Sequence, residues 1–335
     1  MIITEIYNGQ GLGNQLWCYV VTRAIAKKHG YDFGIMHPEK FKCLDFMKLD
    51  FGKPVIGGSG PEGGPPTTLP EGITSYYAGK KITHPTYGFD IRTHDEKLMR
   101  VADNTKIDGY MQDEQYIIEY KNEIREWLKI KSGFGCMEYA NENTCIINFR
   151  GGEYIGIRDV FLPQKYWDDA IIRMQSINQN MQFVVITDDI STAKKFFPRF
   201  PVYHFSIGKD YTIIQNAHYL ILSNSSFAWF PAWLNQNRRY YIAPKYWAYY
   251  NVSDGYWGLG YAITTGCHYL DRKNTLFTYE ECMVELKKYQ LNPKSPIFLA
   301  PPIYQKRTVW LMKAIIKRKL ILLIKHLLSP FAKMD

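Results

Sequence analysis

One arginine and one glutamate stand where packing does not account for them. Residues 145–154 read Cys-Ile-Ile-Asn-Phe-Arg-Gly-Gly-Glu-Tyr, a short apolar strand that delivers Arg150 and Glu153 into a glycine-flexed turn. Charged side chains are almost never buried without a partner. The glycines at 151 and 152 let the backbone approach a ligand closely. A guanidinium at the mouth of a sheet offers a planar fork of donors suited to phosphate. The first expectation is therefore a phosphorylated ligand, with Arg150 stabilising its charge. Glu153 is the candidate general base, or else the carboxylate that pairs with Arg150 and orients it.

Three further segments carry polar groups of the same kind. Gly11-Leu12-Gly13-Asn14-Gln15 fits neither the dinucleotide GxGxxG pattern nor the phosphate-binding P-loop. It supplies a tight turn, two side-chain amides and a helix N-terminus, as a binding element or as a structural turn. Asp188 and Asp189 at a strand end can accept from a base or ribose, or cap a helix. Asn224-Ser225-Ser226 opens another helix with N–H groups and hydroxyls, an anion site or again a cap. The aromatics that follow, Phe227, Trp229, Phe230 and Trp233, read mostly as core. No HExxH, Cys/His cluster or DxD pair is present, so no obligatory metal is expected.

Elements must hold these groups in place. A strand over residues 2–7, a glycine turn and a helix over 14–28 closed by His29-Gly30 make the first unit of an α/β domain. Residues 57–70 form a Gly/Pro-rich loop, a possible lid or linker. An amphipathic helix is predicted over 116–131, and the polar stretch 132–144 marks a domain boundary. A second α/β series follows: strand 145–149, helix 164–176, strand 183–187, helix from 211 to about 218, strand 219–222, helix from about 227 and strand 239–243. Three of these strands end in polar residues, which places those residues along one crevice at the carboxyl edge of a sheet.

Length and charge narrow the class. A chain of 335 residues predicts two domains. Of the net charge of +9, eight lysines and arginines from Lys306 onward against Asp335 carry +7, which leaves +2 for the body. The body offers no case for a nucleic-acid binder. Residues 308–328 instead form a basic amphipathic helix, with Ile316, Leu320, Ile321, Leu323, Ile324, Leu327 and Leu328 on one face and Arg318, Lys319, Lys325 and His326 opposite. Such a helix suits an anionic membrane surface, or packs on the body with its basic face in water. The six cysteines, Cys18, Cys43, Cys136, Cys145, Cys267 and Cys282, lack metal or disulfide spacing and suit free thiols in a reducing cytosol. Neither a signal peptide nor a spanning segment is expected from the sequence.

Six segments in order resemble the bacterial α-1,2-fucosyltransferases of the family 11 type. Gly11-Leu12-Gly13-Asn14-Gln15-Leu16 is similar to the family's GLGNQ opening, and residues 108–116 to its GYFQSEKYF segment. Leu162-Pro163 with Tyr166, Trp167 and Ala170 resembles its L-x-x-x-YY-x-x-A helix, and residues 183–189 its FSDD strand. Residues 224–234 resemble NSSFSWWGAWL, and 242–247 IAPKRWF. Asn148 to Tyr154, N-F-R-G-G-E-Y, resembles HxRRGDY with Asn148, Gly151 and Glu153 in place of its His, second Arg and Asp. The resemblance implies a GT-B architecture, two Rossmann-like α/β domains facing a cleft. Residues 1–140 would form the acceptor side, 141–300 the donor domain and 301–335 the basic tail. It also implies inverting, metal-independent transfer from GDP-fucose without a cofactor, at the cytoplasmic face of a bacterial inner membrane, onto a glycan or lipid-linked glycan of surface polysaccharide. Arg150 would grip the pyrophosphate. The donor-binding set would be Gly13, Asn14, Arg150, Asp188, Asp189, Asn224, Ser225, Ser226 and Phe227. The three departures leave open another nucleotide-sugar donor, or a non-catalytic nucleotide-sugar-binding protein tethered to the membrane.

Overall fold

The computed structural model describes residues 1–55, 66–70, 94, 96–158, 160–245, 263–291 and 305–328. Two parallel sheets organise the chain. The first holds strands β1 (Ile2–Glu5), β2 (Phe33–Met36), β3 (Thr67–Pro70) and β4 (Thr105–Asp108) in the order β2-β1-β4-β3, all parallel. Between β1 and β2 runs helix α1 (Leu12–His29), which stops where Gly30 adopts φ +69 and donates back to Ala26 and Lys27. A left-handed residue at this position is reached at no steric cost only by glycine. Helix α1 is buried around most of its circumference, which marks a helix covered on more than one side.

Helix α2 (Lys121–Trp127) leads to the second sheet, which begins with β5 (Thr144–Phe149). There follow α3 (Gln164–Ile177), β6 (Gln182–Thr187), α4 (Ile190–Phe196), β7 (Val202–Tyr203), α5 (Ile207–Asn216) and β8 (Tyr219–Ile221). Next come α6 (Trp229–Leu234), β9 (Tyr240–Pro244), β10 (His268–Leu270), β11 (Leu276–Phe277) and α7 (Tyr279–Leu291). Among the described residues the sheet order is β11-β10-β9-β8-β5-β6-β7, with only the β10–β11 edge pair antiparallel. Without that edge strand the order is the doubly wound 3-2-1-4-5-6, whose direction reverses between β5 and β8. Strand β5 is buried along its whole length, as a central parallel strand should be.

The two sheets share packing. Trp17 of α1, wholly buried, lies 4.2 Å from the Trp229 ring and 5.0 Å from Phe230. Tyr211 of α5, and Trp233 and Leu234 of α6, belong to the same apolar cluster as β1, α1 and β4. The aromatics after Ser226 are therefore core, as the sequence predicted, and specifically the core joining the two sheets. A separate cluster beneath β5, β6 and α3 receives the end of the chain. Helix α8 (Val309–Leu328) inserts Leu311 there and sets Trp310 edge-on against Phe196 at 6.0 Å. The Gln305 side chain accepts the first free N–H of α3 at 2.6 Å, a position for which Pro163 offers no side-chain cap.

Three expectations are corrected. Residues 116–131 do not form one helix: 3₁₀ turns at Glu114–Tyr116 and Ile118–Tyr120 precede the short α2. The cause is tertiary, because Glu114 is buried and accepts from the Trp233 indole at 2.6 Å and from Thr265, while Ile117 leaves helical geometry at φ −135. The fifth helix begins at Ile207, earlier than its apolar pattern implies, since Ser206 caps it through Lys209 N–H at 3.2 Å. Of the Gly/Pro-rich stretch, Thr67–Pro70 is strand β3 beside β4; residues 57–65, the rest of the possible lid, lie outside the described residues.

Candidate active site

Arg150 follows the last residue of β5 and keeps 28% of its side chain exposed. Its guanidinium meets Asp188 at 2.7 Å and Glu153 at 3.0 Å, and its carbon lies 5.4 Å from the centre of the Tyr154 ring. Burial works against its charge, and Asp188, Tyr154 and Glu153 more than compensate, so the group sits above its ordinary value and stays cationic. Nε of Arg150 is buried without a hydrogen-bond partner among the described residues.

The glycines after Arg150 answer to Asp188 and Asp189. Gly151 N–H donates to Asp188 at 2.9 Å, and a Cβ on Gly151 would lie 2.7 Å from the Asp189 Cβ. A second arginine at 151 does not fit this turn. Gly152 has φ +31, and a Cβ there would overlap the Asp188 carboxylate. The two aspartates, adjacent in sequence, thus part in role. Asp188 holds the Arg150 turn. Asp189 caps α4, accepting from Thr192 N–H at 3.0 Å, Thr192 Oγ1 at 2.6 Å and Ser191 Oγ at 3.1 Å. For Asp189 the capping reading is the one realised.

Beside β5, the end of β8 carries the serine turn. Ser223 donates to the Asn148 side chain at 2.9 Å, which ties the two strand ends together across the reversal. The Tyr154 hydroxyl donates to the Asn224 carbonyl at 3.5 Å, and burial pushes that phenol up to about 12 while Arg150 opposes the rise. Asn224 reaches the Val160 carbonyl at 2.8 Å, and Ser225 accepts from Phe227 N–H at 3.3 Å. Phe227 itself packs between the apolar clusters of the two sheets. Behind Asn224 and Ser225 a cavity extends between Ala228, Trp229, Arg238 and Tyr269. At the end of β9, Lys245 is buried, ion-paired with Glu285 at 2.5 Å and set against the Phe277 ring.

The first sheet contributes the turn after β1. Asn14 accepts from Ser226 Oγ at 2.8 Å and from Gln112 at 2.7 Å. The backbone that comes close to Gly13 is the protein's own: a Cβ there would overlap the Ser226 carbonyl. Gly13 and Asn14 therefore join the α1 N-terminus to the serine turn. Arg150, Glu153, Asp188 and Asn224 to Ser226 converge at the β5–β8 reversal, and Asn14 closes on them from the other side. Among the described residues, no three His, Cys, Asp or Glu side chains cluster as a metal site. Sequence reading missed Tyr154, Ser223 and Gln112 as linking groups. It also missed Arg318 of α8, whose guanidinium lies 3.9 Å from Glu153.

Residues 73–253, just over half of the chain, match the profile of glycosyl transferase family 11. The chain belongs to that family. The chain is also 30% identical over 158 residues to an alpha-1,2-colitosyltransferase of Escherichia coli, a match covering 42% of this chain and 54% of that one. It is 25% identical over 120 residues to the O-antigen biosynthesis glycosyltransferase WbnK of Escherichia coli, covering 32% and 40%. The chain thus spans about half the length of the curated relatives it matches. Among solved structures, POFUT1 in complex with GDP aligns with TM-score 0.39 and 11% identity over 72% of this chain and 97% of that one. The fucosyltransferase NodZ from Bradyrhizobium aligns with TM-score 0.38 and 13% identity over 70% and 92%. The family 11 match contains Arg150, Asp188 and the serine turn. Tyr246 and Trp247 of the last resembling segment lie outside the described residues.

Proposed function

We propose that this family 11 glycosyltransferase moves L-fucose from GDP-fucose, with inversion and in α-1,2 linkage, onto a glycan acceptor of surface polysaccharide. The observation that carries the reading is Arg150, a guanidinium held cationic at the β5–β8 reversal with one N–H uncommitted among the described residues, where doubly wound sheets bind their ligands. As the bond between the anomeric carbon and the diphosphate oxygen breaks, negative charge grows on the leaving diphosphate. Arg150 stabilises that charge, and the N–H groups of Ser225 and Ser226 with the Ser225 hydroxyl add donors. The acceptor hydroxyl attacks the opposite face, its oxygen forms the new bond to the anomeric carbon, and its proton passes to solvent water. Glu153, already committed to Arg150 at 3.0 Å, fits the orienting role better than that of base. No metal takes part.

A second reading keeps the chemistry and changes the sugar. Support comes from the relative named as a colitosyltransferase and from a turn that excludes an arginine at 151. One experiment separates the two. Purified protein is offered GDP-, UDP- and CDP-sugars with a glycan acceptor, in EDTA, beside Arg150→Ala. Fucose transfer that Arg150→Ala abolishes with the fold intact supports the first reading. Transfer from another donor alone supports the second, and near-normal turnover by Arg150→Ala removes the site assignment.

The reading includes a place at the cytoplasmic face of the membrane. Among the described residues no helix is long and apolar enough to cross one. Along α8, Ile316, Leu320, Leu323 and Ile324 are each about half exposed, next to exposed Lys313, Lys317 and Lys319. An anionic lipid surface matches both the apolar row and the lysines.

A further inference from the structure

We propose that Arg318, carried in by the C-terminal helix, is a second diphosphate-binding side chain of the same site. The inference rests on the nucleotide-sugar reading above and extends it to a residue more than 160 positions from Arg150. Helix α8 lies across the 3₁₀ turn Tyr154–Gly156, the turn that immediately follows Glu153. At Gly156 the fit is close, since a Cβ there would stand 3.9 Å from Cγ of Arg318. The arginine stem crosses that turn, and its guanidinium ends 3.9 Å from Glu153 on the carboxylate oxygen that Arg150 does not use.

Two features separate this placement from an ordinary surface ion pair. First, Arg318 is only 24% exposed, and its Nε is buried with no hydrogen-bond partner among the described residues. A guanidinium N–H taken out of water and left unmet is unfavourable unless an acceptor such as an anion meets it. The distance of 3.9 Å to Glu153 is too long for a hydrogen bond, so Glu153 does not satisfy it. Second, one carboxylate stands between two guanidiniums, and each of these has a buried, unpaired Nε. Asp188 balances the second of these charges, so what is left over at this point is donors, the two unpaired Nε groups, near the serine turn. A diphosphate carries enough charge and enough oxygens to meet both forks. Arg318 also supplies from another element what the turn itself cannot hold, because a side chain at 151 collides with Asp189.

The test is calorimetric titration of full-length protein with GDP and with the other nucleoside diphosphates, using wild type, Arg318→Gln, Arg318→Lys and Arg150→Ala. Arg318→Gln is preferred to truncation because Leu311 and Trp310 of the same helix belong to the core. The expected result is a loss of about tenfold or more in diphosphate affinity for Arg318→Gln, the scale of one charged hydrogen bond. Arg318→Lys should recover part of it, and the melting temperature without ligand should stay unchanged. The effect should appear in KM for the donor rather than in KM for the acceptor. Wild-type affinity in Arg318→Gln, with affinity lost in Arg150→Ala, overturns this inference alone. If wild type binds no nucleoside diphosphate at all, the nucleotide-sugar reading falls and this one with it. An equal loss in Arg318→Gln and Arg318→Lys together with a lowered melting temperature would make Arg318 a packing residue, and would equally overturn the proposal.

Discussion

At the scale of single residues, the site is an exercise in what each carboxylate is committed to. Asp188 and Glu153 both hold Arg150, yet they differ in surroundings. Asp188 also fixes the Gly151 N–H, whereas Glu153 is half exposed and shared with Arg318. Glu153→Gln keeps the shape and removes the charge. If Glu153 orients Arg150, the variant should raise donor KM several-fold and leave kcat within about an order of magnitude. A fall in kcat of about 10²-fold or more, with donor KM unchanged, would restore the role of general base. Steady-state kinetics over a range of donor concentrations gives the answer. Sequence reading found Arg150 because a charged group between a buried strand and two glycines is conspicuous. It could not divide Asp188 from Asp189, because strand ends and helix caps ask for the same residue type. Only the positions of Thr192 and Gly151 in space assign one aspartate to each task. Arg318 was placed on the solvent side of its helix, since a helical projection shows which residues share a face and not what the helix lies against.

At the scale of elements, local pattern and tertiary demand contend. Strands β5, β6, β8 and β9 were legible within a residue or two, because four to six apolar residues between polar turns leave little choice. The segment 116–131 was not. Its periodicity is helical, but Glu114 must reach Trp233 and Thr265, and that requirement breaks the helix. Strands β2 and β4 escaped notice because each is only four residues long and mixes glycine or charge into the run. The α1 N-terminus gives a sharp test of tertiary demand. Gly13→Ala improves helix propensity by about 1 kcal/mol, so on local grounds it stabilises. The overlap with the Ser226 carbonyl is with backbone, which has little room to shift, so overpacking of about 1–3 kcal/mol should win. A lowered denaturation midpoint is expected, and a raised one would show that the close approach is not real. Helix α8 offers the second test at this scale. Flotation with liposomes rich in anionic lipid should carry the full chain, less so at high salt. Replacing Ile316, Leu320, Leu323 and Ile324 by serine should abolish flotation while leaving the buried Leu311 in place. Equal flotation of that variant removes the membrane claim.

At the scale of the whole molecule, the interface between the sheets carries a half-buried cation as well as aromatics. Lys121 of α2 holds its ammonium 4.5 Å from the Trp233 ring. Burial, with Arg238 adding to it, pushes that ammonium down from 10.5 to about 8. The folded state therefore releases its proton before the unfolded chain does. Between about 8 and 10.5 the unfolded chain binds more protons, so for this group stability rises with pH across that window. Below 8 the charged lysine opposes folding throughout. Lys121→Met should then raise the melting temperature at pH 7, less the attraction to Trp233. Its advantage over the parent should shrink as pH climbs from 8 to 10. A constant advantage across that range would mean the lysine titrates normally.

The closure of Gly13 and Asn14 on the serine turn, with Trp17 against Trp229 beneath it, has a consequence for how such a gene can change. Neither half is a self-contained cassette. A recombinant that exchanged the first half for a cousin's would set new residues at 13, 14 and 17 against the old ones at 226 and 229. Productive chimeras should be those that carry across a matched set, the small residue at 13 and the ring at 17 together with positions 226 and 229.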